Sequence, residues 1–242
     1  MVDSSVFSCR LCGIVPKNEG KVTTHPPIVS TKRPLLLLGA GPIDNKVVNG
    51  TFLKAESCVC ADGGLKHAIS SGISPQLVVG DFDSVDPPTD IPVYHSLDQN
   101  FTDFEKTLAV INAPVILAVG FLGGRLDHQL AAFSTLLKTD QVVILIDDTH
   151  CMVHVPARTP LSVPITAGQP VALYPLLSVR VTTRGVVWPL TDAVMAPDGL
   201  TSTSNHMATD HLYIETNGPG VLAILPYAAL DDVINWALTL AC

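Results

Sequence analysis

The chain has 242 residues, of which 47% are hydrophobic and only 15% charged, a composition that excludes a disordered protein and fits one large or two small packed domains. A formal net charge of −8 excludes the broad basic surface that grips nucleic acid. No apolar stretch reaches the roughly 18 residues of a membrane-crossing helix, and the N-terminus lacks the apolar core of a secretion signal and carries Asp3 and Glu19, so a soluble, cytoplasmic protein is expected.

Residues 1–34 are polar and proline-bearing, with Pro16, Pro26, Pro27 and Pro34, and read as an extended lead-in. Within them Cys9-Arg10-Leu11-Cys12 has no second cysteine pair and only His25 nearby, short of the ligands a structural zinc needs. The other cysteines are Cys58 and Cys60 in an apolar segment and the isolated Cys151 and Cys242, which makes no disulfide framework.

From Leu35 onward, apolar runs alternate with helix-period segments. Strands are expected at 35–38, 57–61 and 77–79, with a helix at 65–71. A helix at 103–111, a strand at 115–119, a helix at 127–138 and a strand at 142–146 follow. This alternation predicts a parallel sheet with helices on its faces. Thr102 with Glu105 forms a capping box that opens one helix, with Asp103 in its first turn and Lys106 one turn on. Asp127 opens the other, where Leu130, Phe133, Leu136 and Leu137 are expected to form the apolar face.

After Asp147 the texture changes to Pro, Gly, Thr and Val, with β-prone runs at 152–155, 171–174, 179–183, 211–215 and 221–225 and a late helix at 228–240. Such spacing suggests a small sandwich or barrel. The expected organisation is a lead-in (1–34), an α/β domain with a parallel sheet (35–150), and a β-rich, sandwich-like domain (151–242).

Four polar clusters fall at strand ends or helix starts of the α/β half: Ala61-Asp62-Gly63-Gly64, Gly80-Asp81-Phe82-Asp83-Ser84, Asp98-Gln99-Asn100-Phe101-Thr102-Asp103, and Gly123-Gly124-Arg125-Leu126-Asp127-His128. A parallel sheet delivers the carboxyl ends of its strands to one edge, so these distant clusters should converge. Asp81 and Asp83, one position apart, suit a hard divalent cation carrying phosphates, with Asp62 and Asp103 as further ligands or as organisers of metal-bound water. Gly63, Gly64, Gly123 and Gly124 permit close backbone approach to phosphate oxygens, and Lys106 and Arg125 supply positive charge in a chain short of it. There is no Walker A loop, and Gly39-Ala40-Gly41-Pro42 lacks the third glycine of a dinucleotide fingerprint.

In this order, Cys60-Ala61-Asp62-Gly63-Gly64, Gly80-Asp81-Phe82-Asp83-Ser84, Asp98-Gln99 with Thr102-Asp103-Phe104-Glu105-Lys106, Gly123-Gly124-Arg125-Leu126-Asp127-His128 and Ser202-Thr203-Ser204-Asn205 resemble the thiamine pyrophosphokinase family. The resemblance runs from about Leu35 to the C-terminus. It implies an N-terminal α/β domain, a C-terminal β domain that binds thiamine and dimerises, and a homodimer with its active site between subunits. It implies transfer of the pyrophosphate of ATP to the hydroxyethyl group of thiamine, with release of AMP and with magnesium. By position, Asp81, Asp83 and Asp103 would serve magnesium and catalysis, with Asp127 also catalytic. Asp62, Gly63, Gly64, Lys106, Gly124 and Arg125 would hold ATP. Gln99, Trp188, Ser202, Ser204 and Asn205 would face thiamine, the last three from a loop. Arg184-Gly185-Val186-Val187-Trp188-Pro189-Leu190 resembles the family's Gly-Leu-Lys-Trp stretch, with Val187 in place of the usual basic residue.

Residues and resemblance imply one mechanism, in-line attack of a hydroxyl on the β-phosphorus with charge spread over metal and cations. Asp103 and Asp127 are both candidates to accept the proton, and late proton loss needs neither. A pyrophosphokinase for another small alcohol, such as a hydroxymethylpterin, and a non-catalytic nucleotide-binding module are the competing readings.

Overall fold

Strands buried on both faces read as unbroken apolar runs, and Leu35, Leu36, Leu37 and Leu38 are each fully buried. The computed structural model describes residues 26–82, 90–96 and 98–241. Within them the chain divides into two compact units. One runs to Thr135 and includes Gln141–Asp148, and the other comprises Leu136–Asp140 and the residues from Thr149 onward.

The first unit contains β1 (Val29–Ser30), β2 (Leu35–Leu38), α1 (Asn45–Phe52), β3 (Ser57–Ala61), α2 (Leu65–Ser70), β4 (Leu77–Gly80), β5 (Val93–His95), α3 (Asp103–Val110), β6 (Ile111–Asn112), β7 (Ile116–Val119), α4 (Leu126–Leu136) and β8 (Val143–Ile146). Strands β8, β7, β2, β3, β4 and β5 lie side by side in that order, each neighbouring pair parallel. Burying each leucine of β2 contributes about 1.5–3 kcal/mol, which fixes this strand at the centre. From β2 the chain steps outward through β3, β4 and β5, then returns to pair β7 with the opposite edge of β2. The direction of winding therefore reverses between β2 and β7, where ligands of such sheets bind.

Strands β5 and β6 were not expected, and further local features depart from the sequence expectations. Helix α1 was not expected, because its only buried hydrophobic residues are Val47 and Val48. It forms because the Asp44 side chain caps it, accepting from Lys46 N at 2.7 Å. The end of the lead-in is paired: β1 lies parallel to β6 (Val29 with Ile111), and Glu56 accepts from the backbone of Lys32 and Arg33 at 3.0 and 2.9 Å. Helix α4 is partly rotated from its expected face: Leu136 is buried as expected, with Ala132 and Thr135 beside it, Phe133 and Leu137 are half-buried, and Leu130 is 57% exposed, as is Leu126 at 67%.

The second unit contains β9 (His150–Val155), β10 (Leu161–Pro164), β11 (Pro170–Pro175), β12 (Val179–Arg184), β13 (Ala193–Met195), β14 (Ser202–His206), β15 (His211–Thr216), β16 (Val221–Pro226) and α5 (Leu230–Leu240). One antiparallel sheet has the order β10-β15-β12-β13, and β14, β11, β16 and β9 follow one another in a second antiparallel set. Period-two burial marks the inward faces: Leu161 and Val163, Val179 and Val181, Leu212 and Ile214. Leu173 of the second set and Ile214 of the first line one small cavity. Helix α5 packs on β10, and the Trp236 indole N–H donates to the Pro160 carbonyl at 2.9 Å.

Residues 202–205, expected as a loop, instead belong to strand β14, paired antiparallel with β11 (Asn205 with Val171, Ser202 with Leu173) across an irregularity between Val171 and Leu173. A run of Ser, Thr and Asn hides such a strand from any apolar pattern. Its position at the outer edge of its set tolerates both the polar side chains and the left-handed Ser204 (φ 59°).

Candidate active site

Parallel pairing brings the ends of β3, β4 and β5 to one edge of the first unit. Asp62 follows β3 in a short 3-10 turn, Asp62–Gly64, with a left-handed backbone (φ 38°). Its carboxylate lies over the Cα of Gly80: a Cβ placed there would stand 2.9 Å from Asp62 Oδ1. Gly80 is thus the space into which Asp62 leans, beside Asp81. The Asp81 carboxylate accepts from Gln99 Nε2 at 3.2 Å, and its backbone carbonyl accepts from His95 Nε2 at 2.7 Å, so that ring carries its proton on Nε2. The Phe82 ring, on a left-handed residue (φ 56°), stacks on His95 with centroids 5.6 Å apart. Asp83 and Ser84 lie outside the described residues. Among the described residues, no three His, Cys, Asp or Glu side chains are grouped so as to hold a metal ion between them.

Helix α3, which packs against β3 and β4, begins with the expected capping box. Thr102 Oγ1 accepts from Glu105 N at 3.2 Å and Glu105 Oε2 accepts from Thr102 N at 3.0 Å. The box holds Asp103 in the first turn, where its carboxylate meets Lys106 Nζ at 3.1 Å. Lys106 is only 6% exposed and Asp103 is 41% exposed, so the ammonium lies beneath a carboxylate that faces outward. A lysine this buried is uncommon without such a partner.

At the winding reversal, glycines let two loops touch backbone to backbone. A Cβ at Gly39 would stand 2.5 Å from the Gly120 carbonyl oxygen, and Gly41 N donates to that oxygen at 2.7 Å. His67 Nε2 donates to the Gly41 carbonyl at 2.8 Å, tying α2 to the same loop. Gly64 is glycine for a related reason, since a Cβ there would fall 2.1 Å from the Leu38 carbonyl oxygen. Gly123 and Gly124 are left-handed (φ 73° and 65°) and rest against the Pro42 ring. Just beyond, the Arg125 guanidinium forks onto both oxygens of Asp127. This contact holds the Asp127 carboxyl below the usual carboxylate range and raises the guanidinium above its own. Both side chains are mostly exposed, so the pair adds little stability.

The remaining candidates lie in the second unit. Trp188 is 59% exposed, with its ring at right angles to that of His206 and centroids 5.1 Å apart. Asn205 is buried, accepts from Trp188 N and His206 N, and donates to the Trp188 carbonyl. Ser202 lines the cavity that Leu173 and Ile214 share, and Ser204 is exposed. Sequence reasoning passed over His67, His95 and His206, whose contacts are to backbone and rings brought together by pairing and leave no local motif.

Residues 49–146 match the family model described as the thiamin pyrophosphokinase catalytic domain, and residues 158–221 match the model for the vitamin B1 binding domain of the same family. The chain belongs to the thiamin pyrophosphokinase family. Thiamine pyrophosphokinase 3 of Oryza sativa subsp. japonica is 29% identical over 194 residues, covering 63% of this chain and 71% of the relative. Thiamin pyrophosphokinase 1 of Caenorhabditis elegans is 24% identical over 221 residues, covering 82% and 87%. The solved thiamin pyrophosphokinase from Candida albicans has a TM-score of 0.69 at 15% identity, covering 93% of this chain and 99% of that one. The one from Bacillus subtilis has a TM-score of 0.66 at 21% identity, covering 80% and 98%. At these identities the structural likeness speaks for the fold. Every acidic and basic candidate lies within the catalytic-domain match, and Trp188, Ser202, Ser204 and Asn205 lie within the vitamin B1 binding match.

Proposed function

We propose that the protein transfers the pyrophosphoryl group of ATP to thiamine. The hydroxyethyl oxygen forms a bond to the β-phosphorus, the bond from that phosphorus to the α-phosphate oxygen breaks, and AMP and thiamine diphosphate leave as the hydroxyl proton is released. The observation that carries this reading is the acidic edge of the first unit, where Asp62 leans over Gly80 next to Asp81 within the catalytic-domain match. In our reading the α/β domain is 35–150 and the sandwich-like β domain is 151–242.

Magnesium is usually held by one or two carboxylates together with phosphate oxygens and water, and Asp62 and Asp81, at the adjoining ends of β3 and β4, fit that need. Asp81, Asp83 and Asp103 would hold it, with Asp62 beside them, and when bound it offsets charge on the transferring phosphates. Gln99 orients the Asp81 carboxylate through its 3.2 Å hydrogen bond. Lys106 and Arg125 neutralise phosphate oxygens, and Gly63, Gly64 and Gly124 keep side chains away from them. Asp103 and Asp127 are both candidates to accept the hydroxyl proton, and late loss of that proton needs neither. Trp188 offers its ring to the cationic thiamine, with Ser202 and Ser204 nearby.

The protein acts as a homodimer with its active site shared between subunits; the exposed Leu126 and Leu130, one turn apart on α4, supply apolar surface for pairing. Buried thiols at Cys58, Cys60 and Cys151 suit a reducing compartment such as the cytoplasm. No helix of the described residues is long and apolar enough to cross a membrane.

The vitamin B1 binding match favours thiamine over a pterin alcohol. The test is incubation with ATP, magnesium and thiamine, reading AMP and thiamine diphosphate by chromatography. Equal amounts of the two products are expected. AMP formed only with hydroxymethylpterin, or ATP bound without turnover, overturns the assignment.

A further inference from the structure

We infer that Asn205 is a positioning residue that acts through Trp188, and that the segment 185–190 is a rigid mount for that indole. This rests on the thiamine reading above and alters one part of it, since Asn205 no longer serves as a direct ligand to substrate. The polar capacity of its amide is nearly used within the protein. Oδ1 accepts from Trp188 N at 3.3 Å and from His206 N at 2.9 Å, filling both lone pairs, while Nδ2 donates to the Trp188 carbonyl at 2.9 Å. At 6% exposure the side chain offers little to a ligand. What it does is clamp both backbone groups of a single residue whose own side chain points outward.

Other contacts brace the same segment. Val187 N donates to the His206 carbonyl at 3.0 Å, and Val186 forms an antiparallel bridge with Met207. At the far end Thr183 N donates to the Leu190 carbonyl at 2.9 Å, and Leu190 N donates to Thr183 Oγ1 at 2.8 Å. Gly185 turns the chain into the mount with φ 84°, and a Cβ there would stand 1.9 Å from the His211 carbonyl oxygen, so no other residue makes the turn. His206 stands at right angles to the indole and limits its rotation on one side. An exposed indole gains little from burial, so five hydrogen bonds to the backbone of residues 187–190, two of them on Trp188 itself, have their use in presenting a fixed aromatic face. Holding that face before the ligand arrives lowers the ordering cost of stacking.

Two measurements test this. The first compares steady-state kinetics of the full chain with those of Asn205→Ala, Trp188→Ala and the double variant. Asn205→Ala is expected to raise the thiamine KM about ten-fold with kcat and the ATP KM within about two-fold, and to add less than about two-fold once Trp188 is alanine. Increments that multiply, or an equal rise in the ATP KM, overturn the positioning role. The second needs no substrate. Trp236→Phe leaves Trp188 as the sole tryptophan, and its fluorescence anisotropy is expected to fall on adding Asn205→Ala. Should that variant fold poorly, Thr183→Val removes the acceptor at the other end of the mount while keeping its shape, and anisotropy is expected to fall there too. Unchanged anisotropy overturns the mount. A wild-type protein that fails to turn over thiamine would sink the thiamine reading while the anisotropy still decides the role of Asn205.

Discussion

Gly64 shows at the scale of one residue how tightly the acidic edge is built. Alanine there would set its Cβ 2.1 Å from the Leu38 carbonyl oxygen, in backbone that cannot swing aside. Gly64→Ala should cost about 3 kcal/mol of stability, read as a lower urea midpoint; an unchanged midpoint would mean that the turn relaxes freely. Asp81→Asn is the complementary case, because it keeps size and removes only charge. It should lower kcat by about 100-fold while the thermal midpoint stays within about 2 °C. Retained turnover would remove Asp81 from the chemistry. The motif around Asp62 and Asp81 was legible in sequence because charge and glycine sit together at the end of an apolar run. The contact that makes sense of it, Asp62 over Gly80, was not, since it depends on the neighbouring register of β3 and β4.

Strand β9 carries a pH response that belongs to the element. His154 Nε2 accepts from Gly220 N at 2.9 Å, so the ring is neutral with its proton on Nδ1, and burial pushes its pKa down to about 4. The unfolded chain, with an ordinary value near 6.5, binds the extra proton more readily. Stability from this group is therefore complete above about pH 6.5, falls with pH between about 6.5 and 4, and is gone below that window, a loss of up to about 3 kcal/mol. Urea unfolding at pH 7.5 and 4.5 should show the drop, and His154→Gln should flatten it; identical slopes would count against the buried ring. Legibility in sequence follows the same physics of burial. Strands covered on both faces, such as β2 and β7, advertise themselves as unbroken apolar runs. Helix α1 depends on a single cap and two valines, β14 on polar residues at an edge, and the rotation of α4 on packing that period alone leaves open.

Assembly is the property of the whole molecule most open to direct test. If the exposed leucines of α4 pack against a second copy, replacing Leu126 and Leu130 together by Glu should convert a dimer to a monomer in sedimentation. A large loss of turnover should accompany it, with the circular dichroism spectrum retained. A wild-type chain sedimenting as a monomer, or a variant that stays dimeric, would sink this arrangement. The order of strands has a consequence for how the protein is made. Leu38 pairs with Val119, so the inner strand β2 must wait for some eighty further residues before its second neighbour exists. At roughly 5–20 residues per second of synthesis, the all-leucine edge of β2 stands without β7 for about 4–16 seconds on the ribosome. During that interval β2 is covered on one edge alone, by pairing with β3, so the sheet is completed outward from a half-paired centre.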